Sequence, residues 1–287
     1  MYAIRKNEQP SSVEIPASYG GSSTAIIISS SWIPTHPATK MINTVINSTS
    51  LLIGLAPSVP IFITIDDLNV NSIVSTKDTA ELNKKREALE AYSTNLFNKY
   101  MANPRFHILP GMTHLHIGGS VMKALDLIGH HYPKVQYVYY IQHDFQFTLK
   151  IDHIALVDVM EKYPEVNMIH FPKRYHHSHR TCGNKSNIIH PRRVFHANNL
   201  GVDATKLGLG YDQMVLYPTD LYSDNNHFAR FDWYKETIAS LDSLRRPPEA
   251  PLMVRSYAMC ARNESMGLFM YDQIPIGHLD GRKSTEY

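Results

Sequence analysis

The sequence predicts an α/β protein in which a mostly parallel central sheet is flanked by helices. Short apolar runs alternate with longer amphipathic segments as far as residue 171, which is typical of strands joined by helices. Several of these runs are apolar at every position, as strands buried on both faces are. Repeated alternation of this kind implies parallel strands with right-handed crossovers. With 287 residues, of which 43% are hydrophobic, the chain can bury a large core.

The first strand, helix and second strand are predicted within the first 65 residues. Residues 25–28 are continuously apolar and are followed by three serines, which indicates a buried strand. A helix should follow it, capped by Thr35 and carrying Pro37 in its first turn. Residues 59–65 repeat the strand pattern and end in two aspartates.

The same alternation continues through the middle of the chain. Residues 78–81 resemble a capping box at the start of a long helix, and residues 106–109 indicate a third strand. Another helix should open at residues 118–120, which read Gly-Gly-Ser. Residues 135–141 are strongly β-prone and predict a fourth strand, which runs directly into the polar residues 142–144.

The pattern changes beyond residue 150. Residues 151–163 indicate one more helix and residues 166–171 one more strand, whereas residues 173–199 are rich in His, Arg and Asn without a clear period. We interpret that segment as loops and short antiparallel strands. A last helix is expected from residues 223–224 to a proline-containing joint at residues 247–251.

Composition excludes several classes of protein. Twenty-eight Lys and Arg against 26 Asp and Glu give a net charge of +2, too small for a broad basic face that binds nucleic acid. Two cysteines are too few for a disulfide framework, so we expect a reducing, cytoplasmic location. The N-terminus is polar and the apolar run at residues 51–65 is cut by prolines, which predicts neither a signal peptide nor a membrane span.

Ligands of open α/β sheets bind beyond the carboxyl ends of the strands, so the polar residues there are the first candidates for a site. These residues are Ser29, Ser30, Ser31, Trp32, Asp66, Asp67, residues 112–119, and Gln142, His143, Asp144 and Phe145. Neither GxGxxG nor GxxxxGK[ST] occurs, so the two common glycine-rich phosphate cradles are missing. A nucleotide would need another kind of site.

In the order of these parts the sequence resembles GT-A glycosyltransferases, which bind a nucleotide sugar through an N-terminal Rossmann-like half. Residues 29–32, the aspartates at 66–67 and residues 142–144 stand where the family has its first-strand loop, its base-contacting acid and its Asp-x-Asp motif. The resemblance implies a single GT-A domain over residues 1–287, with a donor half at 22–171 and an acceptor half at 172–287. The residues it implies for nucleotide-sugar binding are Ser29, Ser30, Ser31, Trp32, Asp66, Asp67, His116, Gly118, Gly119, Gln142, His143 and Asp144.

The resemblance also implies a divalent cation, Mn²⁺ or Mg²⁺, because a diphosphate leaving group needs a cation that bridges its oxygens. Asp144 can supply a carboxylate ligand, whereas Gln142 stands where the family has its first Asp and lowers the charge of the site. Whether metal is required therefore stays open. Family members commonly add a late His, for which His278 is the candidate, with Asp280 as a substitute. The alternative is that residues 142–144 are only a polar turn.

An inverting transferase needs a carboxylate that takes the proton from the acceptor hydroxyl. In the family this base lies between the metal motif and the late His, and Asp224 fits by position, with Asp212 as the second candidate. Either residue could instead be a helix cap. Trp233, Tyr222 and His227 are the candidates for acceptor contact.

The histidine-rich stretch invites a zinc site, but its spacing matches no HExxH-like motif. Its members are His170, His176, His177, His179, His190 and His196. A solvated loop, or a flap that contacts phosphate or acceptor, remains as the alternative.

These observations together predict an enzyme that transfers xylose, glucose or rhamnose from a UDP-sugar to a glycan hydroxyl, with inversion favoured and retention left open. The run Gln-His-Asp-Phe and the ending Gly-His-Leu-Asp-Gly are similar to glycosyltransferases of the large algal viruses called chloroviruses. Two alternatives are an inactive glycan- or nucleotide-binding module and a metal-dependent hydrolase. Acceptor identity and oligomeric state stay open.

Overall fold

Strands and helices alternate along the part of the chain that the structure describes. In a computed structural model of the protein, this part comprises residues 23–68, 79–111, 115–174, 195–196, 215–220, 222–242, 244, 247–262, 264–271 and 273–279. Its elements in chain order are β1 (Thr24–Ser30), α1 (Lys40–Ser48), β2 (Leu52–Ile53), β3 (Ile61–Ile65), α2 (Thr79–Tyr100), β4 (Phe106–Pro110), α3 (His116–His131), β5 (Tyr137–Gln142), β6 (Phe145–Phe147), β7 (Ile151–Asp152), α4 (His153–Lys162), β8 (Met168–His170), β9 (Phe195–His196), β10 (Val215–Pro218), β11 (His227–Arg230), α5 (Phe231–Ala239), α6 (Glu249–Ala261), β12 (Leu268–Tyr271) and β13 (Ile276–His278).

The main sheet is mixed and mostly parallel. Within the described residues it has nine strands in the order β4-β3-β1-β5-β11-β8-β12-β10-β9. Only β10 and β11 run antiparallel to both of their neighbours, so the other seven strands point in one direction. Two small pairs, β13 with β6 and β2 with β7, stand apart from it. The predicted fold class is confirmed.

Helices cover both faces of this sheet, which is why β1 is apolar at successive positions. Ile26 and Ile28 pack into one hydrophobic core with residues of α1, α2 and α4. Ile27 lies between them in sequence, points to the other face, and packs with residues of α3, α5 and α6. All three isoleucines are fully buried. A strand enclosed on both sides has no reason to alternate apolar with polar residues.

The segment before α5 is a strand, and our expectation of a helix starting at residues 223–224 is wrong. Residues 227–230 form β11, inserted antiparallel between β5 and β8. Phe228 and Ala229 are both fully buried and belong to the cores on opposite faces, as adjacent residues of a strand do. The apolar positions 228, 231 and 238 happen to match a helical period.

Other boundaries differ in smaller ways. Helix α1 begins at Lys40, because residues 34–37 form a turn, so Thr35 does not cap it. Helix α4 begins at His153 and is capped by Asp152, whose carboxylate accepts the N–H of Ala155 at 2.9 Å. The expected joint at residues 247–251 is instead the start of α6, where Pro251 falls in the first turn and is tolerated.

Two observations bear on the expected environment of the protein. Cys260, near the end of α6, is disulfide-bonded, and the reducing location inferred from the cysteine count stays a prediction. Among the described residues, no helix combines the length and apolarity needed to cross a membrane. The division of the chain at residue 171 stays a prediction.

Candidate functional site

A first cavity of about 330 Å³ opens beyond the carboxyl ends of β1 and β5. Eight of the twelve residues predicted to bind a nucleotide sugar line it, which follows from the rule that parallel strands end at the same edge of a sheet. The lining residues are Ser29, Ser30, Ser31, Asp66, His116, Ile117, Ser120, Gln142, His143 and Asp144. Sequence reasoning therefore brought together the residues of one cavity, while their roles stay predictions.

Two of the serines are anchored by buried tyrosines. Ser29 is hydrogen-bonded through its Oγ to the hydroxyl of Tyr140 at 2.7 Å, and Ser30 likewise to the hydroxyl of Tyr92 at 3.0 Å. The two tyrosines belong to opposite faces of the sheet, because consecutive strand residues point in opposite directions. These contacts fix the end of β1 from both sides and make the cavity wall rigid.

Asp66 connects the end of β3 to the start of α3. Its Oδ1 accepts the backbone N–H of Leu115 at 2.8 Å and that of Asp67 at 3.1 Å, and its side chain is buried. His116, the next residue after Leu115, has a φ of 54° and lines the cavity. The carboxylate of Asp66 thus positions the first turn of α3 at the cavity, and its contact with a base stays a prediction.

Four predicted donor residues do not line the first cavity. Trp32 packs against the core beside α1 and α2, and Asp67 accepts a backbone N–H within its own loop. Gly118 is buried within α3. Gly119 donates its N–H to the carbonyl of Leu244 at 3.0 Å, and a Cβ at this position would lie 2.8 Å from the Cβ of Leu115, which is too close.

His143 links the ends of the paired strands β1 and β5. Its backbone N–H donates to the carbonyl oxygen of Ser29 at 2.9 Å, and its ring Nδ1 lies 3.2 Å from the same oxygen. Burial lowers the pKa of His143, against the opposing influence of the Asp144 carboxylate. The ring is therefore neutral at pH 7 and acts as a structural link at the cavity floor.

Asp144 and His278 are brought together by the pairing of β6 with β13. The antiparallel register places Phe145 opposite His278, and the imidazole Nε2 lies 3.2 Å from Oδ2 of Asp144. A carboxylate oxygen and an imidazole nitrogen this close fit two ligands of one divalent cation. Among the described residues, no group of three or more His, Cys, Asp and Glu side chains is placed to hold a metal ion. Asp280 lies outside the described residues.

Gln142 makes a side-chain hydrogen bond that a carboxylate could not make. Its side-chain amide donates to the backbone carbonyl of Asp224 at 2.6 Å, and its backbone N–H donates to Oδ1 of Asn226 at 3.0 Å. Asn226 in turn donates to the carbonyl of Phe145 at 3.0 Å. These bonds tie the bend at residues 222–226 to the end of β5.

A second cavity of about 560 Å³ adjoins the first and shares Ile117 and Gln142 with it. Its lining residues are Ile117, Gln142, His170, Phe171, Pro172, Lys173, Arg174, Thr219, Tyr222, Ser223, Asp224, Asn225, Pro247, Glu249, Met253 and Met270. Apolar and charged side chains are therefore mixed in this cavity. Its charged lining residues are the cations Lys173 and Arg174 and the carboxyl groups of Asp224 and Glu249.

Asp224 is the buried carboxyl of the second cavity. It is 8% exposed, and burial together with the negative charge of Glu249 raises its pKa to about 7, although it also accepts the backbone N–H of Glu249. Glu249 is the first residue of α6. Asp224 thus lies at the N-terminus of α6 rather than at the start of the helix that we expected to begin at Asp224 itself.

The predicted acceptor residues fall in different places. Tyr222 is buried and lines the second cavity. His227 is fully buried in β11, stacked on Tyr140, and lines neither cavity. Trp233, a residue of α5, packs against the hydrophobic core and also lines neither cavity. Contact of these residues with an acceptor stays a prediction, and Asp212 lies outside the described residues.

His170 and Glu249 line the second cavity and were not among the residues predicted for the site. His170 belongs to β8, within the strand predicted at residues 166–171, and pairs in register with His227 of β11. Glu249 was placed in a joint. The other histidines of the rich stretch lie outside the described residues, except His196 in β9.

No protein-family model and no curated protein sequence matches this chain. Solved structures similar to it include S. aureus TarS 1–349 in complex with UDP-GlcNAc. The match has 10% identity and a TM-score of 0.46, and it covers 93% of this chain and 62% of that one. A mannosyltransferase from Pyrobaculum calidifontis in complex with GDP-Man and Mn²⁺ matches at 10% identity and a TM-score of 0.39, over 86% and 56%. This chain thus spans less than two thirds of either protein.

A third similar structure is the 4-diphosphocytidyl-2C-methyl-D-erythritol synthase of Anaerococcus prevotii. It matches at 10% identity and a TM-score of 0.37, over 88% of this chain and 90% of that one. The similarities concern the arrangement of strands and helices, and none of the three proteins supports the expected resemblance to viral enzymes.

Proposed function

We propose that the chain is a glycosyltransferase that moves a sugar from a UDP-sugar to a hydroxyl group of a glycan. The observation that carries this proposal is the pair of adjoining cavities. The first lies where open α/β sheets bind nucleotides, and the second holds a buried carboxyl group next to it. Gln142 and Ile117 border both, so a ligand can extend from one into the other.

In the proposed reaction Asp224 is the general base. Its carboxylate accepts the proton of the acceptor hydroxyl while that oxygen forms a bond to the anomeric carbon. The bond from that carbon to the diphosphate breaks on the opposite side, so the configuration inverts and the electron pair leaves with UDP. A pKa near 7 suits this role, because a base is most effective when its proton affinity matches the working pH.

Asp144 and His278 would hold the divalent cation, Mn²⁺ or Mg²⁺, in this proposal. When bound, such a cation neutralises the negative charge that develops on the leaving diphosphate. Gln142 is neutral, so it adds no charged ligand for the cation to that of Asp144. Xylose, glucose and rhamnose all remain proposed donor sugars.

Replacement of Asp144 by Asn tests the donor site. We expect the affinity for UDP in the presence of Mn²⁺ to fall about tenfold or more, since a carboxylate ligand is lost while the side-chain shape is kept. Isothermal titration calorimetry with and without Mn²⁺ measures this. Asp158→Asn on α4, which lines neither cavity, is the matched control. Equal affinities of Asp144→Asn and the wild type would contradict the proposed metal site.

A further inference from the structure

His170 is a buried histidine whose two ring nitrogens have no hydrogen-bond partner. It is 5% exposed, lies on β8 near the middle of the sheet, and lines the second cavity beside Asp224. Leaving buried polar atoms without partners costs free energy, and such atoms are rare in folded proteins. The few that persist call for a ligand or another partner that completes them.

The imidazole of His170 is neutral. Burial, and next the neighbouring ring of His227, hold its pKa well below the usual value. A neutral imidazole offers one N–H donor and one acceptor nitrogen. A hydroxyl group also donates and accepts, so it matches either nitrogen, whereas a carboxylate or phosphate only accepts and can satisfy the N–H alone.

The charged side chains around the cavity do not favour an anionic ligand over a neutral one. Lys173 and Arg174 follow β8, while Asp224 precedes β11 and Glu249 begins α6. An anionic ligand would find the two cations but also the two carboxyl groups. A neutral ligand rich in hydroxyl groups meets hydrogen-bonding partners on both sides without a charge penalty.

We propose that His170 binds a hydroxyl group of a sugar in the second cavity. The proposal rests on the proposed function, since glycosyl transfer brings two sugars there, the donor residue and the acceptor residue. Either can present the hydroxyl. The donor sugar would reach His170 past Gln142, which borders both cavities, and the acceptor sugar would lie beside Asp224.

Both nitrogens of His170 are shielded in the unliganded chain, so side chains must shift when the sugar binds. Met270 of β12 is its register partner, and Met253 of α6 lines the same cavity. Methionine is unbranched and flexible, which allows it to move aside at little cost. The sugar hydroxyl would then reach the ring of His170.

The test compares the wild type with His170→Phe by isothermal titration calorimetry. The ligands are UDP, UDP-glucose and UDP-xylose, each with Mn²⁺, and methyl β-D-glucopyranoside and methyl β-D-xylopyranoside on the UDP-saturated protein. We expect unchanged affinity for UDP and a loss of about 3- to 10-fold for one sugar class, the value of one hydrogen bond. A loss for the UDP-sugars identifies the donor sugar, and a loss for the glycosides identifies the acceptor sugar.

His36→Phe is the matched control, because His36 is also buried with an unpartnered Nε2 but lines neither cavity. It should bind every ligand as the wild type does. Since His170→Phe removes two unpartnered polar atoms, its unliganded thermal midpoint should not fall, and His170→Leu serves if the larger ring does not fit.

Three outcomes are decisive against the proposal. Sugar affinities of both His170 variants that equal those of the wild type overturn it, and so does a wild type that gains no affinity from any sugar. A wild type that fails to bind UDP overturns the proposed function itself, and the assignment of His170 with it.

Discussion

Gln142 shows how a single amide changes what a site residue does. Its side-chain nitrogen donates to the carbonyl of Asp224, and an Asp or Glu at this position would present only acceptors to that carbonyl. The amide therefore anchors the segment that carries the proposed base. The sequence shows that the residue departs from the glycosyltransferase pattern, but the partner of the amide lies 82 residues away and follows only from the fold.

Replacement of Gln142 by Glu should loosen this anchor. We expect a loss of about 1–3 kcal/mol in the free energy of unfolding, because a buried carbonyl loses its donor and faces a negative charge. Urea denaturation measures the change. Gln136→Glu, at an exposed position before β5, is the control and should leave stability unchanged. A Gln142→Glu variant as stable as that control would mean that the hydrogen bond contributes nothing.

Asp224 makes the rate depend on pH. The proposed base must be ionised, so turnover should rise as pH increases through about 7, where its pKa lies. Asp224→Asn should lower kcat by about 10²- to 10⁴-fold without changing the affinity for UDP. Release of UDP from the donor, followed between pH 5 and pH 9, gives both results. Asp212→Asn is the comparison, and a larger loss in that variant would transfer the role to Asp212.

The same carboxyl group makes the free energy of unfolding depend on pH. Burial raises its pKa in the folded state from the usual 3.8 to about 7, so the folded chain holds the proton more tightly than the unfolded chain. Between about pH 4 and pH 7 unfolding releases this proton, and stability falls as pH rises through that range. Asp224→Asn should remove this part of the pH dependence.

At the scale of elements, β11 is the strand that sequence reasoning missed. Its four residues are His-Phe-Ala-Arg, too short to display a period of two, and Phe228 and Phe231 fit a helical spacing equally well. Pairing with β5 and β8 decides the conformation, and those partners are distant in sequence. By contrast, the bounds predicted for β1, β3, β4 and β5 lie within two residues of those observed, because each of these strands is rich in apolar or aromatic residues.

Ala229 tests this strand. A helix with Phe228 and Phe231 facing inward would not require Ala229 to be buried, whereas β11 places it at 0% exposure between two helices and the sheet. Ala229→Glu should therefore unfold the protein at a much lower urea concentration, since it buries an unpaired carboxylate. Ala239→Glu, at the exposed end of α5, is the matched control. Equal midpoints for the two variants would contradict the strand.

At the scale of the whole molecule, the first half was more predictable than the second. In the first half, β1 pairs with β3 and β3 pairs with β4, each across a single α-helix, so the order of elements already implies this part of the sheet. In the second half β8 has three residues and pairs with β12, with Met168 opposite Leu268. Such short strands are stabilised by distant partners, and local sequence carries little information about them. The first cavity was therefore largely predicted and the second was not.

The whole molecule should respond to the proper nucleotide by becoming more stable. A ligand that binds only the folded chain adds to the free energy of unfolding by mass action, by about 2.7 kcal/mol when its concentration is one hundred times its Kd. The thermal midpoint rises as a result. With Mn²⁺ present, UDP-glucose and UDP-xylose should raise the midpoint, and CTP should not. Thermal denaturation followed by fluorescence provides the measurement. A shift with CTP alone would contradict the proposed glycosyltransferase.

The wall formed by Ile117 and Gln142 faces a cavity on each side. Whatever occupies one cavity changes the surroundings of the side chains that its neighbour must contact. Binding in the two cavities is then linked, and thermodynamic linkage is reciprocal. By whatever factor a bound nucleotide alters the affinity for a sugar next door, that sugar alters the affinity for the nucleotide by the same factor.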